Sequence, residues 1–278
     1  MPYARRRVAR RIISRLYKNG TQCCHIAALN AATFSRTIAL LRSDINSPVR
    51  FARRVVACCA GPIAIGFAAP AAAQSVDSQI WIADTVSADI AKHVAASFDT
   101  TMRFSDAAHG LYQWARGGTI GVRTRGGTEL LTGYQRVTDY SDGHVSKLEQ
   151  RIREQVNYGF GRIGPGTLSG RLRVEERFRR GADGVGVRAR TQLRYTLPLG
   201  NKTAPSLVLI HESFLELNDT RWGQRAGLRR VRDLVGLEVP IAKNVRIQAG
   251  YLNQYDFGLP GKRDAMANIF SLALAERF

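Results

Sequence analysis

The chain has 278 residues, 45% of them hydrophobic, and a formal net charge of +19. That length allows one large domain or two small ones, and the hydrophobic content is that of a chain that folds, which excludes a wholly disordered polymer. The charge would suggest a nucleic-acid partner if it were evenly spread, but residues 1–74 hold 12 of the 41 Lys and Arg and one of the 22 acids. The remaining 29 bases face 21 acids, so most of the excess lies upstream of the part that reads as a fold, and nucleic acid is not an expected partner.

Residues 1–52 form a basic leader with arginine clusters at Arg5-Arg6-Arg7 and Arg10-Arg11. These clusters stand far upstream of any apolar run, which reads as an over-extended gene start; initiation at Val49 through a non-AUG codon would leave a compact n-region of Arg50, Arg53 and Arg54. An unusually long basic leader is the alternative. Residues 53–73 read as a signal peptide: Arg53-Arg54, an uncharged Ala- and Gly-rich run, then Ala71-Ala72-Ala73 before Gln74, with cleavage between Ala73 and Gln74. A transmembrane anchor fits less well, because Ala and Gly contribute little hydrophobicity, Pro62 and Pro70 break a helix, and no later segment qualifies as a spanning helix. All four cysteines, Cys23, Cys24, Cys58 and Cys59, precede the cut, which agrees with passage through an oxidising periplasm. Cys58 follows Arg54 too closely for a lipoprotein signal.

Residues 74–278 read as one outer-membrane β-barrel domain. Segments of alternating polarity fall at 79–87, 92–104, 111–124, 128–138, 145–158, 167–179, 185–197, 205–217, 224–239, 244–257 and 265–278, separated by Gly, Asp, Asn, Ser and Pro. In 167–179, Leu168, Leu172, Val174 and Phe178 oppose Arg171, Arg173, Glu175, Arg177 and Arg179; in 185–197, Val187, Ala189, Leu193 and Tyr195 oppose Arg188, Arg190, Gln192 and Arg194. A soluble sandwich also alternates. Strand length, aromatics at the ends of the oily face, and a last strand closing on Phe278 favour an antiparallel up-and-down transmembrane barrel, and a terminal Phe278 resembles the signal read by the outer-membrane assembly machinery. Eleven segments are legible, yet both termini of a bacterial barrel normally lie in the periplasm, so an even count of 10 or 12 strands, 12 favoured, is expected. One segment would then be missed, or segment 79–87 would thread the lumen. With Phe278 periplasmic, the connections at 218–223 and 257–264 are extracellular.

The opening with Trp81, then Phe98 to Arg103-Phe104 and Asp106, the basic strands Arg171 to Arg179 and Arg188 to Tyr195, the His211-Glu212 pair and Gly250-Tyr251 together resemble a bacterial outer-membrane family, domain of unknown function 2490. The resemblance spans most of 78–278 and implies a barrel and no established activity.

The polar faces place Arg151, Arg153, Arg171, Arg173, Glu175, Arg177, Arg188, Arg190, Arg194, Glu212, Arg230, Arg232 and Arg246 in the lumen, since charged rows facing lipid would each cost about 2 to 4 kcal/mol at mid-bilayer. They would either fill the barrel with Arg–carboxylate bonds or line a restricted, anion-preferring solute path. The competing class is a membrane-embedded lipid acyl hydrolase using His211 and Ser213, which share a strand face and resemble the His-x-Ser arrangement of outer-membrane lipid A deacylases. The chain is longer than those barrels and its surrounding residues differ; otherwise the pair is a polar edge of one strand. Dispersed His93, His109, His144 and His211 and a cysteine-free mature chain suggest no metal, and Gly117-Gly118 and Gly126-Gly127 precede no helix that would hold a phosphate. No cofactor is expected. Outer-membrane lipids and the assembly machinery are the expected partners, and the sequence does not fix an oligomeric state.

Overall fold

Each of the eleven alternating segments forms a wall strand. The computed structural model describes residues 75–201, 203–259 and 261–278. The basic leader, the signal segment and the cleavage position lie outside the described residues. The strands are β1 (Ser75–Ala91), β2 (Val94–Ser105), β3 (Gly110–Arg123), β4 (Glu129–Ser141), β5 (His144–Ile163), β6 (Gly166–Arg179), β7 (Val185–Pro198), β8 (Ser206–Glu216), β9 (Gly227–Ala242), β10 (Val245–Asp256) and β11 (Ala265–Arg277). Consecutive strands pair antiparallel, and the sheet closes through a parallel pairing of β1 with β11, from Ser75 beside Ala265 to Ser87 beside Arg277.

The expected even count and fully antiparallel wall are therefore corrected: the barrel is mixed and has eleven strands. In a meander of odd number the first and last strands run the same way, so closure requires one parallel seam. Segment 79–87 belongs to the wall because β1 has two suitable faces. Asp77, Gln79 and Trp81 turn inward, while Val76, Ile80 and Ile82 are exposed outside. The seam is fastened at its end, where the Phe278 N–H donates to the Ser87 carbonyl at 2.9 Å and the Asp89 N–H donates to the Phe278 carbonyl at 3.1 Å.

Ser75 and the connections after β2, β4, β6, β8 and β10 lie at one rim, called the upper rim below; Phe278 and the other connections lie at the lower rim. Local chemistry sets these turns. Asp142 (φ 52°) and Gly143 (φ 76°) form a two-residue hairpin, in which Asp-Gly tolerates the two left-handed residues required. In the β10–β11 connection, Asp264 accepts bonds from the Tyr255 hydroxyl and, at 2.6 Å, from the Gly258 N–H; the first of these leads in holding its carboxyl below the usual aspartate value.

The barrel inverts the usual distribution of polarity. Phe98, Ile120, Val122, Leu130, Leu209, Leu237 and Phe270 are exposed on the outside, whereas Glu149, Arg153 and Glu175 are buried within. Part of the interior is apolar: Trp81, Val208, Leu234, Leu252, Ala267 and Ile269 pack together on β1 and β8–β11. The rest is ionic.

Candidate active site on the outer wall

The inward charges form a lattice that joins non-adjacent strands. Arg153 on β5 reaches over β4 and β3 to Asp99 on β2 with two bonds of 2.7 and 3.0 Å. Glu149 accepts from Arg151 at 2.7 Å and Arg177 at 2.9 Å, and Arg177 continues to Glu216 at 3.1 Å. Glu175, fully buried, accepts from Arg188 at 3.0 Å and Arg190 at 2.8 Å. Glu212 accepts from Arg171 and Arg190, both at 2.7 Å, with Arg232 3.6 Å away. Arg173 donates to Gln155 at 2.7 Å, Arg230 to Asp256 at 2.5 Å, and Arg194 and Arg246 share Glu238. Arg246 lies toward the lower rim with its side chain 61% exposed.

Among the described residues, interior cavities of about 250 and 400 Å³ remain, and Arg103, Arg151 and Arg190 line both. Aromatic faces spread the cationic charge: the Arg103 and Arg232 guanidiniums lie 4.0 and 4.7 Å from the Trp81 ring centre, and Arg190 lies 4.6 Å from that of Phe214. Buried carboxylates ringed by guanidiniums thus join β2 to β5 and link β5, β6, β7 and β8 through the interior.

His211 and Ser213 are on the opposite side of the wall. On β8, Val208, Glu212, Phe214 and Glu216 are buried inward, so alternation turns His211 and Ser213 outward. The register of β8 with β9 sets Asp233 directly opposite His211. His211 Nδ1 is 2.8 Å from Asp233 Oδ1, and His211 Nε2 is 3.0 Å from Ser213 Oγ. A carboxylate only accepts hydrogen bonds, so Nδ1 carries the proton; in the neutral ring Nε2 then accepts from the serine hydroxyl. The three groups stand in the order hydroxyl, imidazole and carboxylate, the arrangement in which a nucleophile, a base and an orienting acid are found.

The His211 and Asp233 side chains are 43% and 62% exposed, so the site opens outward rather than to the interior. It is held from inside by Glu212, the residue between His211 and Ser213, which is tied to β6 and β7 through Arg171 and Arg190. Thr191 on β7 is the register partner of Ser213, on the same outer face.

The wall around the triad is asymmetric. Following the register from His211 and Asp233 leads to Asn253, Asn268 and Ser78, a polar row ending near the upper rim. Tyr251 donates its hydroxyl to Asn268 at 2.6 Å within this row. In the other direction Leu193, Leu172, Val174 and Val156 present an apolar strip on β7, β6 and β5. Ser213 itself stands three residues from the upper end of β8.

Sequence reasoning found two of the three groups. Asp233 was legible only as an acid interrupting the aliphatic series Val231, Val235, Leu237 and Val239 on the outer face of β9, since its partner is 22 residues away and no local motif joins them. Among the described residues no His, Cys, Asp and Glu grouping suits a metal ion.

A relative from Methylorubrum extorquens, itself described as an uncharacterised protein, is 33% identical over 192 residues, 68% of this chain and 84% of its own length. No solved structure matches the chain. A protein family of unknown function, domain of unknown function 2490, matches residues 78–265, and the chain belongs to that family.

Proposed function

We propose that this is an exported outer-membrane barrel that hydrolyses an acyl ester of a membrane lipid at Ser213. The observation that carries the reading is the continuous Ser213–His211–Asp233 hydrogen-bond chain on the outward face of the wall. Export through residues 53–73, with cleavage between Ala73 and Gln74, and insertion by machinery that reads Phe278 belong to the same proposal. Its support is the apolar outer surface, the buried charge and the basic, small-residue grammar of the signal segment.

In the proposed reaction the Ser213 hydroxyl attacks the ester carbonyl while His211 Nε2 takes its proton. Asp233 stabilises the resulting imidazolium. The tetrahedral intermediate collapses, the C–O bond to the alcohol breaks, and His211 returns the proton to the departing alkoxide. Water, deprotonated by His211, then attacks the acyl-serine; fatty acid leaves and Ser213 regains its proton. The Thr191 hydroxyl, opposite Ser213 in register, is placed to donate to the oxyanion.

Position agrees with a lipid ester. On strands tilted by about 40°, three residues from the upper end put Ser213 roughly 8 Å below that rim, near the depth at which acyl esters lie beneath their headgroups. The polar row would take the headgroup toward the rim, and the Leu193–Leu172 strip would take the acyl chain. With Phe278 on the periplasmic side, the upper rim faces the outer leaflet. The interior then acts as filling: its Arg–carboxylate lattice braces the wall and supports a structural lumen over a solute path.

The test is mass-spectrometric detection of fatty acid released from vesicles of outer-membrane lipid by purified wild type and by Ser213→Ala. Release that disappears in the variant supports the reading. Equal release by both, or none by wild-type protein inserted in the same vesicles, refutes it.

A further inference from the structure

On the β3–β6 face of the outer wall, four charges stand in two groups of opposite sign. Arg116 on β3 and Arg136 on β4 are register partners. Their neighbours in sequence, Ala115, Gly117, Gln135 and Val137, are all buried inward, so both arginines turn outward. Glu154 on β5 and Glu176 on β6 occupy outward positions by the same alternation, and their register partners, Val174 and Ile152, are adjacent outward residues two positions apart along each strand. Among the described residues none of the four joins an ion pair; Arg116 only lies over the Trp114 ring, 4.1 Å from its centre. Charges of both signs left unpaired on a wall that faces lipid require a partner.

From these charges we infer that the β3–β6 face binds a second copy of this chain in an isologous dimer, the basic pair of each protomer meeting the acidic pair of the other. Strand spacing, rise and tilt put Arg136 and Glu176 within roughly 2 Å of one height and Arg116 and Glu154 within roughly 4 Å, with the two pairs some 12 to 15 Å apart around the wall. A two-fold axis parallel to the barrel axis and passing between the pairs exchanges left for right at constant height, so it brings each arginine onto a glutamate. Tyr134 and Ile152 lie between the pairs and would form the centre of the contact, with Tyr134 exposed in the protomer. Any other arrangement of two upright barrels sets like charge against like charge or leaves one pair facing lipid.

The inference rests on the membrane reading and is independent of the hydrolase. The experiment purifies the inserted barrel, scores insertion by heat-modifiable gel mobility, and scores association by native mass spectrometry and cross-linking in membranes. Three proteins are compared: wild type, an acidic variant (Arg116→Glu with Arg136→Glu) and a basic variant (Glu154→Arg with Glu176→Arg). Wild type should be dimeric, each variant alone should lose at least tenfold in dimer, and co-expression of the two should restore a heterodimer. A wild type that is inserted but monomeric overturns the proposal whether or not the variants fold. So does a dimer indifferent to both reversals, or a monomer whose retained anionic lipid is lost only in the acidic variant. Wild type absent from the membrane removes the membrane reading and this inference with it.

Discussion

Replacing Asp233 with Asn tests the chemistry of the triad while leaving its shape intact. In the native site the carboxylate 2.8 Å from Nδ1 keeps the imidazole proton there and leaves the Nε2 lone pair toward Ser213, 3.0 Å away. An amide can present its NH₂ group instead, which moves the ring proton to Nε2 and removes the base; it also gives no charge to stabilise the imidazolium. In serine hydrolases that change lowers kcat by about 10⁴, or about 5.5 kcal/mol of barrel-independent transition-state stabilisation. Asp233 is 62% exposed, so its surroundings screen its charge, and the expected loss here falls to about 10² to 10⁴, roughly 3 to 5 kcal/mol. KM should stay within about twofold, because a loss confined to the transition state leaves substrate binding intact. Fatty-acid release from vesicles at saturating lipid measures it, with Ser213→Ala as the floor and heat-modifiable mobility as the control for folding. Asp233→Asn within about threefold of wild type, beside an inactive Ser213→Ala, would refute the orienting role.

Two further outcomes concern the scaffold. Glu175→Gln should destabilise the folded barrel by about 3 to 5 kcal/mol in urea titration, because it removes the buried carboxylate that neutralises Arg188 and Arg190. Arg246→Ala, 61% exposed, should change the same unfolding free energy by less than about 0.5 kcal/mol, and equal effects would show that the interior lattice does not hold the wall. The loop pinned by Asp264 should loosen in acid: its carboxyl is depressed, so closure is fully present above the ordinary aspartate value of about 3.9 and is lost as pH falls through the lowered one. Hydrogen-exchange protection of the Gly258 amide should therefore fall in wild type only at pH below the ordinary aspartate range and be low at every pH in Asp264→Ala; unchanged protection in the variant refutes the role of the carboxylate.

The wall was legible because period-2 alternation survives wherever one face is charged, as in Arg171 to Arg179 and Arg188 to Arg194. All eleven segments became strands. What the sequence could not reveal was the seam: no turn joins β1 to β11, so their pairing leaves no local signal, and a rule about the sides on which termini lie suggested an even number instead. Partner choice inside the barrel was equally hidden, since Arg153 meets Asp99 across 54 positions. The outer face carries a weaker signal: Arg116, Arg136, Glu154, Glu176 and Asp233 stand out in the sequence only because they interrupt an otherwise oily series.

Those interruptions gain meaning from the interior behind them. A residue on a strand can be aimed only as accurately as its backbone is held, and a lone hydrogen-bonded ladder leaves room for slippage where neither face is fixed. On β8 the inward residues alternate with His211 and Ser213: Glu212 is bound by Arg171 and Arg190, Phe214 packs under Arg190 and Arg232, and Glu216 takes Arg177. Each inward anchor therefore fixes the outward neighbours on both sides of it. The two halves of the sequence pattern, arginine-rich within and sparsely polar without, are one device, in which buried charge supplies the rigidity that aims Ser213, His211 and Asp233 at one another.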